Sequence, residues 1–169
     1  LDSSGNMQFE KAYGGSSGDD VPRSVNQTSD GGYIVAGYTT SFGAGGRDVW
    51  VLKLDSAGTI QFQKAFGGAA DDEADSVIQI SDGGFVVAGY AQSFGPGDNQ
   101  AWVLKLDASL NVLSQKNYSG TGAGQVFSIS ETTDGGILAA GFEGVPGVAA
   151  GANFWLLKLN ASGAVQLQE

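Results

Sequence analysis

The sequence predicts an all-β protein made of repeated four-stranded antiparallel units, and three observations support this. The phrase "SDGGYIVAGY" recurs as "SDGGFVVAGY" and "TDGGILAAGF". Trp50, Trp102 and Trp155 recur at intervals of roughly 52 residues, the spacing of an array of supersecondary units. The chain of 169 residues contains 28 glycines and only 15% charged residues, which is typical of a β protein rich in turns.

Each unit is read as four strands in chain order. The first strand is "RSVNQT", and "SDGG" follows as a tight hairpin turn with a glycine at positive φ. The second strand, "YIVAGY", is almost continuously apolar, which predicts burial on both faces. The third is "DVWVLKL", reached through a longer loop. A "DSAG" turn then leads into "IQFQKAF", whose alternation predicts a half-exposed outer strand.

The repeat divides a single domain, 1–169, into units at 14–66, 67–118 and 119–168. Residues 1–13, with "MQFEKAY", match the fourth strand alone and predict one extra outer strand. Four-stranded units of about 52 residues agree best in length with kelch-like β-propeller blades.

The string "GGSSGDD…SV…TSDGGYIVAGYTTSFG…DVWVLKLDSAGTIQFQKAFGG" resembles the repeat of secreted bacterial and archaeal β-propellers, the SBBP-type group. The resemblance covers the whole chain. It implies a propeller fold and a secreted or cell-surface location, but it names no ligand because propellers host many activities. We interpret the chain, which opens on Leu1, as a mature or excised piece, so the lack of a signal peptide decides nothing.

Three units are fewer than the roughly 4–8 blades with which propellers close. Three alternatives follow: a segment of a longer propeller, two copies joined into a six-bladed ring, or a β-trefoil. The trefoil is the least favoured, because its barrel and cap do not suit a second strand buried on both sides. Exposed apolar blade faces and an extra strand edge favour completion by another chain or by missing blades.

Charge and composition exclude several classes of partner. Eight basic and eighteen acidic side chains give a net charge of -10, which disfavours nucleic acid and anionic lipid. Cysteine and histidine are both absent, so disulfides and most zinc, haem and iron–sulfur sites are excluded. The apolar runs are too short for membrane insertion.

The longer loops differ from unit to unit, so the end of the sheets that carries them is the predicted functional face. The ligand-binding candidates on it are Phe42, Arg47, Asp48, Phe94, Asp98 and Asn99.

Acidic residues on the same loops suggest a possible calcium site, because carboxylates and carbonyls in a Gly-rich loop are oxygen ligands. The candidates are Asp19, Asp20, Asp71, Asp72, Glu73 and Asp75. We favour the alternative that these acids cap turns and keep the protein soluble, because the spacing is not that of an EF-hand. No other cofactor is expected.

Other recurring residues fit structural roles. The three tryptophans lie in "VWVLKL"-type strands, which favours packing between units over carbohydrate stacking. Lysines recur in the same strands, where the stem is expected along the sheet and the charge at its rim. Asn26, Asn117 and Asn160 lie in N-x-S/T triplets, which matter only if the source glycosylates exported proteins.

These observations predict a non-catalytic extracellular or cell-surface module that binds or self-assembles through blade faces and strand edges. The expected partners are a second copy or further blades, and a glycan or another protein at the loop face. The alternatives are a carboxylate-based polysaccharide hydrolase and a glycan-binding, lectin-like propeller. A hydrolase requires two acids converging in a pocket about 5–10 Å apart.

Overall fold

The computed structural model of the protein describes residues 3–95, 99–118, 122–144 and 151–168. These residues form twelve strands and no helix. A membrane-spanning helix is therefore absent from the described part of the chain. Sheet I contains β1 (Asp20–Gln27), β2 (Tyr33–Thr39), β3 (Asp48–Leu54) and β4 (Ile60–Phe66). Sheet II contains β5 (Asp72–Gln79), β6 (Phe85–Ala91), β7 (Gln100–Leu106) and β8 (Val112–Asn117). Sheet III contains β9 (Gly124–Glu131), β10 (Ile137–Gly144), β11 (Ala152–Leu159) and β12 (Val165–Gln168).

In every sheet the strands are antiparallel neighbours in chain order, which confirms the prediction of three four-stranded antiparallel units. Each sheet lies within one predicted unit. The predicted third and fourth strands of the first unit coincide with β3 and β4. The first strand begins earlier than predicted, at Asp20 instead of Arg23, because it continues across a bulge between Pro22 and Ser24.

The repeated "DGG" phrase is explained by the turn between the first two strands of each sheet. Gly31 has φ 81°, a conformation that glycine adopts without steric cost. The Asp30 carboxylate accepts the backbone N–H of Gly32 at 3.0 Å and the Lys53 ammonium at 2.8 Å. The equivalent ion pairs are Lys105–Asp82 and Lys158–Asp134. Each recurring lysine therefore has a carboxylate partner at the rim.

The glycine of the repeated "AG" phrase has a separate cause, which is the bulge on the first strand. Opposite this bulge, a Cβ on Gly37 would collide with the carbonyl oxygen of Val21. Gly89 and Gly141 meet the carbonyls of Glu73 and Gln125 in the same way. Only glycine tolerates such a close backbone approach.

The sheets pack in chain order, with β2 of sheet I on β5 of sheet II and β6 of sheet II on β9 of sheet III. One apolar cluster fills the first junction and a second cluster fills the other. The three tryptophans are at most 9% exposed. Trp102 and Trp155 lie in the two clusters between sheets, as predicted, whereas Trp50 lies in a third cluster on the outer side of sheet I. Of the second strands, only β6 is buried along its whole length, so the prediction of burial on both faces holds in sheet II alone.

The predicted extra outer strand is not formed, because the described residues 3–15 contain no strand. The segment nevertheless packs on sheet I. The Tyr13 hydroxyl donates to the Gly58 carbonyl at 2.5 Å, and the Phe9 ring lies 5.9 Å from that of Tyr33. A strand requires a sheet partner, and the described residues provide none for this segment.

The turn between the last two strands shows one departure from the repeat. Gly58 (φ 73°) and Gly163 (φ 74°) occupy this turn in sheets I and III, whereas sheet II has Leu110 at φ 63°. Leu110 is fully buried in the cluster between sheets I and II, with Phe66 packed against that cluster. Burial of the leucine side chain offsets its unfavourable backbone conformation.

Candidate functional sites: the loop face and the outer sheet faces

Glu73 is the centre of the polar network on the loop face. It is 4% exposed, and its carboxylate accepts hydrogen bonds from the guanidinium groups of Arg47 at 2.5 Å and Arg23 at 3.4 Å. Arg47 lies 4.8 Å from the centre of the Tyr38 ring, a cation–π distance. Burial raises the pKa of Tyr90, and the adjacent Glu73 carboxylate raises it further. Arg47, predicted to bind a ligand, therefore joins sheet I to sheet II.

Sequence reasoning missed Arg23, Tyr38 and Tyr90 as members of this network. The two tyrosines end the repeated "VAGY" phrases, which were interpreted only as buried strand. No spacing in the sequence signals that Arg23 reaches the next sheet, because the contact depends on how the sheets stack.

Asp20 and Asp72 occupy equivalent positions, and each accepts hydrogen bonds from the loops of its own unit. Asp72 accepts the Gly68 N–H at 2.9 Å and the Ser93 hydroxyl at 2.5 Å. Asp20 accepts the Gly15 N–H at 3.0 Å and the Ser41 hydroxyl at 2.8 Å. Partial burial opposes ionisation of Asp20, but hydrogen bonds from Thr39, Gly15 and Ser41 outweigh it and lower the pKa of its carboxyl.

Asp48 and Asp72 are two carboxylates that lie near each other. A Cβ on Gly67 would clash with both carboxylates, so both lie close to this glycine. Burial raises the pKa of Asp48, and the charge of Asp72 adds to the effect, while the backbone N–H groups of Ala44 and Gly45 oppose it. The two residues are 1% and 0% exposed. The pair is thus buried inside the loop packing.

The remaining acidic candidates also make hydrogen bonds, Asp71 and Asp75 through their carboxylates and Asp19 through its backbone N–H. Asp71 accepts the Arg47 N–H at 2.9 Å, and Asp75 accepts the Gln125 amide at 2.6 Å. Burial raises the pKa of Asp75. The backbone N–H of Asp19 donates to Thr40 at 2.6 Å.

Within the described ranges, no three His, Cys, Asp or Glu side chains form a group that could hold a metal ion. The structure therefore does not gather the six calcium candidates into one site, and calcium binding stays a prediction.

The loop phenylalanines fold back onto the core tryptophans. Phe42 lies 5.4 Å from Trp50, and Phe94 lies 5.2 Å from Trp102, measured between ring centres. Phe42 remains 42% exposed. Asn99 accepts the Gln92 amide at 2.7 Å, and Asp98 lies outside the described residues. The described candidates thus make separate contacts with their own loops and sheets, and ligand binding by them stays a prediction.

The outer faces of sheets I and III are the other candidate surface. We call the outer side of sheet I the front face; it includes Val25, Tyr33, Val35, Trp50 and Leu52. A hollow of about 290 Å³ on it is lined by Tyr13, Val35, Trp50 and Leu52 among others.

We call the outer side of sheet III the rear face; it includes Phe127, Leu138, Phe142, Phe154 and Leu156. Phe154 is 78% exposed, whereas its equivalents Val49 and Ala101 are at most 1% exposed. The Phe127 and Phe142 rings lie 5.8 Å apart and form an aromatic patch. The rear face thus presents apolar side chains at positions that the other sheets bury.

No protein-family model matches the chain, and no curated protein matches it. The resemblance to secreted β-propellers therefore stays a prediction carried by the repeat itself.

Proposed function

We propose that the protein is a non-catalytic extracellular or cell-surface module of β-propeller type that self-assembles through its front and rear faces. One observation carries the proposal. Side chains at the same repeat position are buried wherever a neighbouring sheet is present, and Phe154 is 78% exposed where none is described.

Physical chemistry favours association at these faces. Contiguous apolar patches of this kind mark interaction surfaces in soluble proteins. The net charge of -10 opposes non-specific association between copies, so contact requires a complementary surface. Three sheets are also fewer than the roughly 4–8 that close a propeller, and further sheets on both faces would supply the remainder.

The hydrolase alternative has one observation in its favour, the approach of Asp48 to Asp72 with the raised pKa of Asp48. A general acid must contact the substrate, and side chains that are almost fully buried are poorly placed for this. We therefore rank it second. The lectin-like alternative depends on Phe42, an aromatic ring of the loop face that is 42% exposed.

The test is sedimentation velocity over the micromolar range. We expect concentration-dependent self-association that a Phe154→Asp substitution weakens by about tenfold or more, because it places a charge in an apolar contact. The matched control is Phe62→Asp: Phe62 is 44% exposed but lies on the outer strand β4, away from both faces. A wild-type monomer at all concentrations, or equal weakening by both substitutions, would refute the proposal.

A further inference from the structure

The three N-x-S/T triplets of the chain differ in what the fold does with their asparagine side chains. The triplets begin at Asn26, Asn117 and Asn160. In such a triplet the side-chain nitrogen, Nδ2, is the atom to which a glycan is attached, and the residue must lie at the surface. The hydrogen bonds of each Nδ2 therefore decide which triplet the folded chain presents to a modifying enzyme.

The Asn26 triplet is closed by the packing of sheet I on sheet II. Asn26 lies on β1, and its Nδ2 donates to the Val77 carbonyl of β5 at 2.6 Å. The hydroxyl of the triplet belongs to Thr28, which is 4% exposed and donates to the Asp30 carboxylate at 2.5 Å. A glycan on Asn26 would break a hydrogen bond between the sheets and leave a buried carbonyl without its donor.

The Asn117 amide is also engaged. Asn117 ends β8, and its Nδ2 donates to the backbone carbonyl of Phe94. Phe94 is the loop phenylalanine that packs on Trp102. Ser119, the third residue of this triplet, lies outside the described residues. The Asn117 amide thus anchors a loop, and glycan attachment would compete with that contact.

Asn160 differs because its contacts are made by the oxygen of the amide. It opens the turn between β11 and β12, where its Oδ1 accepts the Ser162 N–H at 3.0 Å and the Ala164 N–H at 2.9 Å. The Ser162 hydroxyl donates to the same oxygen at 2.7 Å. No described residue accepts a hydrogen bond from Nδ2. Asn160 is partly exposed, and Ala161 and Ser162 are exposed.

The equivalent turns of sheets I and II show that the fold needs only this oxygen. Asp55 accepts the Ala57 N–H at 2.9 Å, and Asp107 accepts the Ser109 N–H at 2.8 Å. Aspartate and asparagine both form this type of turn, because each has an oxygen that accepts a backbone N–H two residues later. The nitrogen that Asn160 adds in sheet III therefore has no part in the turn.

We propose that Asn160 is a site of N-linked glycosylation and that the folded chain withholds Asn26 and Asn117. The glycan donor is a lipid-linked glycosyl pyrophosphate. Nδ2 forms a bond to C1 of the first sugar and loses one proton, while the bond from C1 to the pyrophosphate oxygen breaks and the pyrophosphate keeps the electron pair. The three hydrogen bonds to Oδ1 stabilise the negative charge that the amide develops as its proton leaves.

The position of the turn leaves the loop face free. Because the strands of each sheet are antiparallel neighbours in chain order, the turn at Asn160 lies at the end of sheet III opposite the longer loops. A glycan there adds a bulky, solubilising group at that end. This inference rests on the extracellular location in the proposed function, but not on self-assembly.

The test incubates the purified, folded chain with an oligosaccharyltransferase and a lipid-linked oligosaccharide, and mass spectrometry locates the glycan. The enzyme is chosen to accept three synthetic peptides, 24–30, 115–121 and 158–164, which report the reactivity of each triplet without the fold. We expect one glycan per chain, at Asn160. Asn26 and Asn117 should react at least about fivefold more slowly in the chain than in their peptides, because each amide must first release its hydrogen bond.

Asn160→Asp is the matched control, because sheets I and II form the same turn with aspartate. It should keep the melting temperature and lose the glycan. Ser162→Ala should also lose the glycan, whereas Ser162→Thr should keep it, because threonine retains the hydroxyl.

Two results would overturn this inference: an unmodified Asn160 in a folded chain whose 158–164 peptide is modified, or reaction of Asn26 or Asn117 in the chain at the rate of its peptide. Sedimentation separates the two proposals. A monomer that carries the glycan at Asn160 would remove self-assembly and leave this site standing.

Discussion

Val77 in sheet II and Val25 in sheet I occupy the same position of the repeat, yet Val77 is fully buried and Val25 is 63% exposed. Leu138 and Val86 differ in the same way, at 38% and 2%. The strands that carry them have the same pairing pattern. Burial is therefore decided by the presence of a neighbouring sheet. The middle sheet shows the environment that the outer faces of sheets I and III lack.

The strongest way to sharpen this comparison is to place the same charge at both valines. Val77→Asp should lower the free energy of unfolding by at least about 3 kcal/mol, because an unpaired carboxylate would enter an apolar junction. Val25→Asp should change it by no more than about 0.5 kcal/mol, because the side chain stays in water. Urea denaturation at a concentration too low for association measures both values.

Equal effects at the two positions would contradict the comparison. A large loss at Val25 would mean that the front face is covered even in the dilute chain. A small loss at Val77 would mean that the junction between sheets I and II opens without cost.

The aromatic contacts at the turn between the last two strands of each sheet allow a second test, for which we expect a smaller effect. Tyr13 pairs with Gly58 and Tyr118 with Gly163, whereas the middle junction has Phe66 with Leu110. Leu110→Gly should destabilise by about 2 kcal/mol, because the lost burial exceeds the relief of a positive φ. Phe66→Tyr alone should cost about 1 kcal/mol, because the new hydroxyl meets the leucine.

The double variant should lose about 1 kcal/mol less in free energy of unfolding than the two single variants lose together. The reason is that it restores the hydrogen bond from tyrosine to carbonyl that the other two junctions contain. A double-mutant cycle from urea melts measures this coupling. Strict additivity would show that the leucine and the phenylalanine are independent of each other.

The strands that sequence reasoning located best are those set by local chemistry. β3 and β4 coincide with their predicted bounds because turn residues end them and alternation or apolar runs define them. The "DGG" turn was predicted for the same reason, since Asp30 and Gly31 act within a few residues of each other.

The features that the sequence could not reveal share a dependence on distant parts of the chain. Residues 7–13 have the pattern of a strand, but a strand forms only with a partner. Asp72 stays a predicted calcium ligand, but no pattern in the sequence shows that it accepts a hydrogen bond from Ser93, which lies in another loop. Arg47 stays a predicted ligand-binding residue, but no pattern in the sequence shows that it pairs with Glu73 of the next sheet. Repetition in the sequence predicts the unit well, whereas the contacts between units depend on how the sheets stack.

The smallest predicted effect is a difference in pH dependence between two ion pairs at the "DGG" turns, Lys53–Asp30 and Lys105–Asp82. The Lys53 ammonium lowers the pKa of Asp30 from its ordinary value of 3.8, and Thr28 and Gly32 add to the effect. Because the folded pKa is the lower one, ionised Asp30 contributes stability above about pH 4, and this contribution is lost as the pH falls through the folded pKa. Asp30→Asn should therefore lower the melting temperature at pH 7 and have progressively less effect below pH 4.

Asp82→Asn is the matched control, because the pKa of Asp82 is also lowered, mainly by Lys105. The Lys53 side chain is 6% exposed and that of Lys105 is 29% exposed, so solvent screens the second pair more. We expect the same sign at both positions and the larger shift at Asp30. The buried Asp48 and the half-buried Asp75, whose pKa values are raised, act in the opposite direction in every variant. Only the difference between variant and wild type at each pH therefore reports on the rim pair. A difference that stays constant from pH 7 to pH 2 would show that ionisation of Asp30 contributes nothing to the turn.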